Sequence, residues 1–126
     1  MGIPPRPTDA ELAILNVLWD QGPSTVREVQ RRLSDARASG YTTVLKFLQI
    51  MFDKGLVERD ESQRAHVYAV AESREATQRH LVGDLLTRGF SGSAETLVLR
   101  ALEGRRSTPQ ELDRIRELLD RLEAGQ

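Results

Sequence analysis

The stretch SGYTTVLKFLQIMFDKGLVERDESQRAHVYAV, residues 39–70, changes its hydrophobic period once, and that change constrains the fold more than any other feature. Its first half has helical spacing: Val44, Leu48 and Met51 fall on one side, and Thr42, Lys46 and Gln49, at i, i+4 and i+7, on the other. Gly55 stands where helices commonly end in a left-handed residue. Beyond it, LVER and HVYAV alternate and pair as a hairpin across DESQRA. One helix with a polar face, followed at once by a charged hairpin, needs other helices to cover its apolar side.

The preceding residues supply them. In TDAELAILNVLW, Thr8 and Glu11 have capping-box spacing, so a helix begins there. Leu12, Leu15 and Trp19 form its inward face with Ile14 and Leu18 flanking, which makes Trp19 a core anchor rather than a stacking platform. Gly22-Pro23 ends it. PSTVREVQRRLSDA forms a second helix, capped by Ser24 or Thr25, with Val26, Val29 and Leu33 inward and Arg27, Arg31 and Arg32 outward. RASG closes that helix. Residues 1–7, with three prolines, form a flexible arm.

From Ala71 onward the pattern is helical only. SREATQRHLVGDLLTRGF carries Leu81 and Leu85, and SAETLVLRALEG carries Leu97 and Leu102. In STPQELDRIRELLDRLEAG, Thr108 caps, Pro109 takes the first helical position and Glu111 completes a capping box. Leu112, Ile115, Leu119 and Leu122 then repeat at spacings of 3, 4 and 3. The expected fold is mostly α with a small β-hairpin. A winged helix-turn-helix DNA-binding domain spans residues 8–71 and a helical dimerisation domain residues 72–126. The first of these is small enough that dimerisation is a natural way to complete the core.

Composition narrows the function. The 126 residues hold no cysteine, two histidines and no Gly-rich phosphate loop or nucleophile elbow, so the chain reads as non-enzymatic, with no cofactor and no metal. His66 opens a strand as a surface or edge residue, and His80 reads as a partly buried packing residue on a helix. No apolar run reaches bilayer length and no signal-peptide pattern stands at the N-terminus, so the expected compartment is the cytoplasm. A net charge of −1 gives no overall basic excess, and any DNA-binding surface must be a local cluster.

The helix YTTVLKFLQ has that local chemistry. Tyr41 opens it. Thr42 and Thr43 offer hydroxyls and methyls, Lys46 reaches a guanine edge or a phosphate, and Gln49 pairs with adenine. Arg27 and Arg31 on the second helix suit phosphates, and Arg59 and Arg64 in or beside the wing suit backbone or minor-groove contact. Asp53 would repel phosphate, which limits insertion to the first two turns. Glu58, Asp60 and Glu61 point to a glancing wing. The competing reading is a winged helix that docks on another protein, favoured by near-neutral charge and by Leu45, Phe47, Ile50 and Phe52. Salt dependence separates the two, because phosphate contacts weaken steeply as salt rises.

TDAELAILNVLWDQGPSTVREVQRRL followed by YTTVLKFLQIMFDKGLVERDESQRAHVY resembles the penicillinase-repressor family, the BlaI/MecI-type transcriptional regulators. The likeness runs from about Thr8 to Leu122. It implies a homodimeric repressor on palindromic double-stranded operator DNA, often before β-lactam-resistance genes, with the C-terminal helices as the dimer interface. It also implies an upstream membrane sensor protease as a partner, acting on the repressor in its C-terminal region. The matching bond here is Arg100–Ala101, where the antibiotic-resistance repressors have Asn-Phe. Copper-sensing relatives carry a cysteine cluster that this chain lacks. Leu45 and Ile50 stand where relatives often have polar or basic residues.

Overall fold

The computed structural model describes residues 6–33 and 40–125. Most of the N-terminal arm (residues 1–5), the expected end of the second helix at SDA and the first three residues of RASG lie outside the described residues. The elements are α1 (Asp9–Gln21), β1 (Ser24–Thr25), α2 (Val26–Arg32), α3 (Tyr41–Lys54), β2 (Val57–Asp60), β3 (Val67–Val70), α4 (Arg74–Gly89), α5 (Ala94–Glu103) and α6 (Pro109–Ala124). The chain divides into two compact units, one ending at Val82 and the other beginning at Gly83, so the division falls within α4.

Local chemistry accounts for the helix limits of the first unit. At α1, the Thr8 side chain accepts from the Glu11 N–H at 3.2 Å and the Glu11 carboxylate accepts from the Thr8 N–H at 2.9 Å. Thr25 and Glu28 repeat that reciprocal box at α2, which decides between the two expected caps in favour of Thr25. Helix α3 ends at Gly55, whose φ of 82° is the left-handed conformation that glycine adopts without a Cβ penalty. The Leu56 N–H then reaches back to the Met51 carbonyl at 2.9 Å, closing the end of the helix.

The hairpin is part of a larger sheet than its sequence suggested. Strands β2 and β3 pair antiparallel, with Val57 opposite Val70 and Arg59 opposite Tyr68. Strand β1 adds to the other side of β3, with Ser24 opposite Tyr68 and Thr25 opposite Val67, giving the order β1-β3-β2. Two residues are too few for a period-2 signal, which is why β1 is silent in the sequence. The β3 strand begins at Val67, so His66 lies just before it rather than opening it.

The core of this unit joins Ile14, Leu15, Val17 and Leu18 of α1 to Val26 and Val29 of α2, Val44, Leu48 and Met51 of α3, and Val57 and Tyr68 of the sheet. The inward stripe expected on α3 is therefore correct residue for residue. That expected on α1 is rotated: Ile14 and Leu18 are central, while Leu12 and Trp19 are only half-buried at its margin. Trp19 is held there because its indole N–H donates to the Glu72 carbonyl at 3.1 Å, with the Arg74 guanidinium 5.5 Å from its ring.

In the second unit, Ser93 caps α5 by accepting from the Thr96 N–H, and Thr108 caps α6 by accepting from the Glu111 N–H at 3.0 Å. The α6 capping box is only half formed, since Thr108 accepts but no return bond from the Glu111 side chain is found among the described residues. Neither α5 nor α6 contains a buried residue. His80, expected as a packing residue, is exposed on α4 and pairs with the Glu72 carboxylate at 3.2 Å. No helix among the described residues is long and apolar enough to cross a membrane.

Candidate nucleic-acid interface

Helix α3 is fixed from behind and open in front. Val44, Leu48 and Met51 are fully buried, so the rotation of the helix about its axis is set by close packing. The same packing leaves Tyr41, Thr42, Thr43, Lys46 and Gln49 exposed. Lys46 has no ion-pair partner among the described residues, which leaves its ammonium available. Asp53 is exposed on the last turn of the same helix, far along from Thr42 and Thr43.

Tyr41 is joined to the second helix. The Arg27 guanidinium carbon lies 5.4 Å from the Tyr41 ring centroid, a cation–π distance that places one α2 cation beside the start of α3. Arg31 and Arg32 are exposed in the last turn of α2, where positive charge also complements the helix dipole. They line a separate concavity of about 220 Å³ with Gln21, Pro23, Ser24 and Glu28. The Glu28 carboxyl is held below its ordinary range, first by the backbone N–H of Thr25 and then by its side chain.

The two wing arginines differ. Arg59 sits opposite Tyr68 on the neighbouring strand, with its guanidinium 4.0 Å from the Phe52 ring centroid and 2.8 Å from the Glu61 carboxylate. Its side chain is only 21% exposed. Hydrogen bonding to the Tyr68 side chain, and then to Glu61, holds the guanidinium above its usual range. Arg59 is thus a strut between α3 and the wing. Arg64 is exposed at the tip and has no such ties among the described residues.

A concavity of about 320 Å³ brings several of these residues together. Tyr41 and Gln49 of α3 line it with Arg59, Arg64, His66 and Tyr68 of the wing. Leu45 and Val26 supply apolar side chains to its lining. Four of the nine residues expected to meet DNA share this hollow, while Thr42, Thr43 and Lys46 stand on the open helix face. His66 escaped sequence reasoning because a lone histidine beside a strand carries no signal; only the packing of the wing beside α3 brings it to the same hollow as Tyr41 and Gln49. Among the described residues, no group of three or more acidic or histidine side chains is placed to hold a metal ion.

The sequence model of the penicillinase repressors, described as "Penicillinase repressor", matches residues 7–121. The chain belongs to the penicillinase-repressor family. It is 37% identical over 119 residues to the transcriptional regulator BlaI of Mycobacterium tuberculosis, covering 93% of this chain and 85% of that protein. It is 23% identical over 116 residues to the penicillinase repressor of Bacillus licheniformis, covering 92% and 91%. A solved transcriptional regulator from Thermotoga maritima aligns with a TM-score of 0.48 and 18% identity, over 94% of this chain and 78% of that one. As a member of the family the chain is a transcriptional repressor, and the order α1-β1-α2-α3-β2-β3 of its first unit, with its three-stranded antiparallel sheet, is that of a winged helix. The resemblance drawn from YTTV, KGLV and ILNVLW is thereby correct.

The expected interface residues of the C-terminal helices are divided. Leu85, Leu102, Leu119 and Leu122 are exposed, whereas Leu81, Leu97, Leu112 and Ile115 are half-buried. Val82, Val98, Leu99 and Leu118, which the sequence reading did not select as interface residues, are exposed as well. Arg100 and Ala101 are exposed within α5, with Arg100 paired to Glu103 at 2.8 Å.

Proposed function

We propose that this repressor acts as a homodimer on a palindromic operator, with residues 8–71 reading DNA and residues 72–126 dimerising. The observation that carries the reading is the two-sided character of α3. A helix locked through Val44, Leu48 and Met51 presents Thr42, Thr43, Lys46 and Gln49 to solvent, with Arg27 and Arg31 on the neighbouring helix. That is the arrangement by which a recognition helix enters a major groove while its partner helix meets phosphates. Arg64 and the wing would follow the flanking backbone.

Dimerisation is supported by the exposed apolar side chains of α4, α5 and α6. Leu85, Val98, Leu119 and Leu122 are each 46% exposed or more, an unusual cost for a monomer and an ordinary one for a subunit. A two-fold dimer reads a two-fold operator, with half-sites about one helical turn apart or a multiple of it. Relief of repression by a membrane sensor protease cutting at Arg100–Ala101 belongs to the same reading. The bond is reachable at the surface of α5, and its cleavage requires that part of the helix to unwind.

The test is binding of the purified protein to the promoter of its own gene, at low and at high salt, beside random DNA. Tight, salt-sensitive binding with a footprint of two symmetric half-sites is the expected result. Absence of DNA binding at any salt would reverse the assignment and favour a protein-docking module.

A further inference from the structure

We infer that the hollow between the start of α3 and the wing is the seat of one DNA phosphate, and that protonated His66 is one of its donors. The inference deepens the DNA-binding reading and rests on it. The hollow, of about 320 Å³, is lined by Tyr41, Arg64 and His66, residue types whose side chains can donate to a phosphodiester, beside Gln49 at the edge of the reading face. Leu45, Val26 and the fully buried Tyr68 also line it, so part of its wall belongs to the packed core.

The charges around the hollow favour an anion. Arg59, the other cation lining it, is tied to Phe52, Tyr68 and Glu61, and in return it pairs with the Glu61 carboxylate of the wing. Asp60 turns its carboxylate into the wing loop, accepting the Ser62 N–H at 2.9 Å, which holds its pKa below the usual range. Arg27, with its guanidinium carbon 5.4 Å from the Tyr41 ring centroid, adds a further positive charge nearby. Arg64 and His66 have no partner of their own among the described residues. They are the groups left free for a ligand.

An imidazole donor makes the contact dependent on pH. Carboxylates, phenols and guanidinium groups keep their charge between pH 6 and 8, while histidine ordinarily changes its charge there. A phosphate beside the ring favours the protonated form, so binding takes up a proton and strengthens as pH falls. The chain has only two histidines, and His80 lies on α4 beside Glu72, so single substitutions separate their contributions.

The experiment measures the affinity of the full-length protein for a labelled random-sequence duplex and for its own promoter, at pH 6 and pH 8. The wild-type protein is expected to bind both DNAs more tightly at pH 6, by on the order of tenfold, since one proton changes affinity by at most that factor per pH unit. Its salt dependence should also be steeper at pH 6, by up to about one contact. His66→Gln should abolish both differences and His80→Gln should preserve them; His66 is exposed, so its replacement leaves the core intact. Wild-type binding that is level across this range, or pH dependence that survives His66→Gln, would overturn the phosphate seat while leaving the repressor reading in place. A pH effect on the promoter alone would move His66 to a base contact and overturn it likewise. No DNA binding at either pH would overturn both.

Discussion

The Lys54 ammonium lies 2.9 Å from both carboxylate oxygens of Glu11, joining the last residue of α3 to the first turn of α1. Glu11 is 2% exposed, and the same carboxylate accepts the Thr8 N–H of the α1 capping box. One side chain therefore caps one helix and clasps the end of another. Because α3 is the helix that presents Thr42, Lys46 and Gln49, this pair belongs to the frame that aims them.

Breaking the pair should cost more than losing a surface ion pair. Lys54→Met leaves a buried carboxylate with only its capping partner, and the expected loss is about 1–3 kcal/mol, below the full buried-pair value because the lysine is partly solvated. Burial raises the Glu11 pKa, but the Thr8 N–H and then the Lys54 ammonium together outweigh it and hold the carboxyl below its ordinary value. A depressed carboxylate contributes stability that is present above its ordinary value and is lost as pH falls through the folded one. The stability that Glu11 contributes should therefore be lost only as pH falls through and below the ordinary carboxylate range, and Glu11→Gln should flatten that part of the acid limb while lowering stability at pH 7. Chemical denaturation from pH 3 to pH 7 checks both; a Glu11→Gln protein as stable as wild type at pH 7 would remove the clasp from the account.

Gly55 sets the angle between α3 and the wing. Its φ of 82° is the reason for glycine, since nothing lies within 4 Å of where a Cβ would stand. Gly55→Ala should lower stability by about 1 kcal/mol through backbone strain alone. Gly55→Asn should lose less, because asparagine tolerates the left-handed region better. Denaturation midpoints of the two variants give the order, and an alanine variant equal to wild type would contradict the strain argument.

Much of this architecture was readable from the sequence, for physical reasons that also mark where reading stops. Val44, Leu48 and Met51 were legible because a buried helix stripe must repeat at 3.6 residues, and Thr8–Glu11 because a capping box needs both residues at fixed spacing. The pairing of Glu11 with Lys54 was not, because it joins residues 43 apart and depends on how two helices cross. Nor were the sheet position of Ser24–Thr25 and the hollow around His66, which follow from the β1-β3-β2 pairing. The rotated face of α1 has the same origin: six large apolar residues in TDAELAILNVLW allow several inward stripes, and only the packed neighbours choose Ile14 and Leu18. Arg59 and Arg64 looked equivalent as letters, but their cross-strand neighbours make one a strut and leave the other free.

Lys46 tests the reading face. It is exposed and unpaired among the described residues, so Lys46→Ala tests the proposed contact to DNA without removing an ion pair within the protein. Operator affinity should fall by about 1–3 kcal/mol, with less loss on random DNA if the contact is to a base edge. An equal loss on both, with a shallower salt slope, marks a phosphate contact instead. Titrations against promoter and random duplexes distinguish these, and unchanged affinity for both would take Lys46 out of the interface.

Leu119 tests the second unit. It is 54% exposed near the middle of α6, on the stripe it shares with Leu112, Ile115 and Leu122. A carboxylate placed there has little to disturb within one chain but would be stripped of water in a dimer. Leu119→Asp should leave the helices folded by circular dichroism, shift the protein toward monomer in sedimentation, and weaken operator binding more than random-DNA binding. Operator affinity falls because each half-site must then be occupied independently, without the gain from linking two reading helices. Cost to the dimer should be at least about 1.5–3 kcal/mol for the lost leucine burial alone, with charge desolvation added to it. A Leu119→Asp protein that sediments as a dimer at low concentration would place the interface elsewhere on the chain.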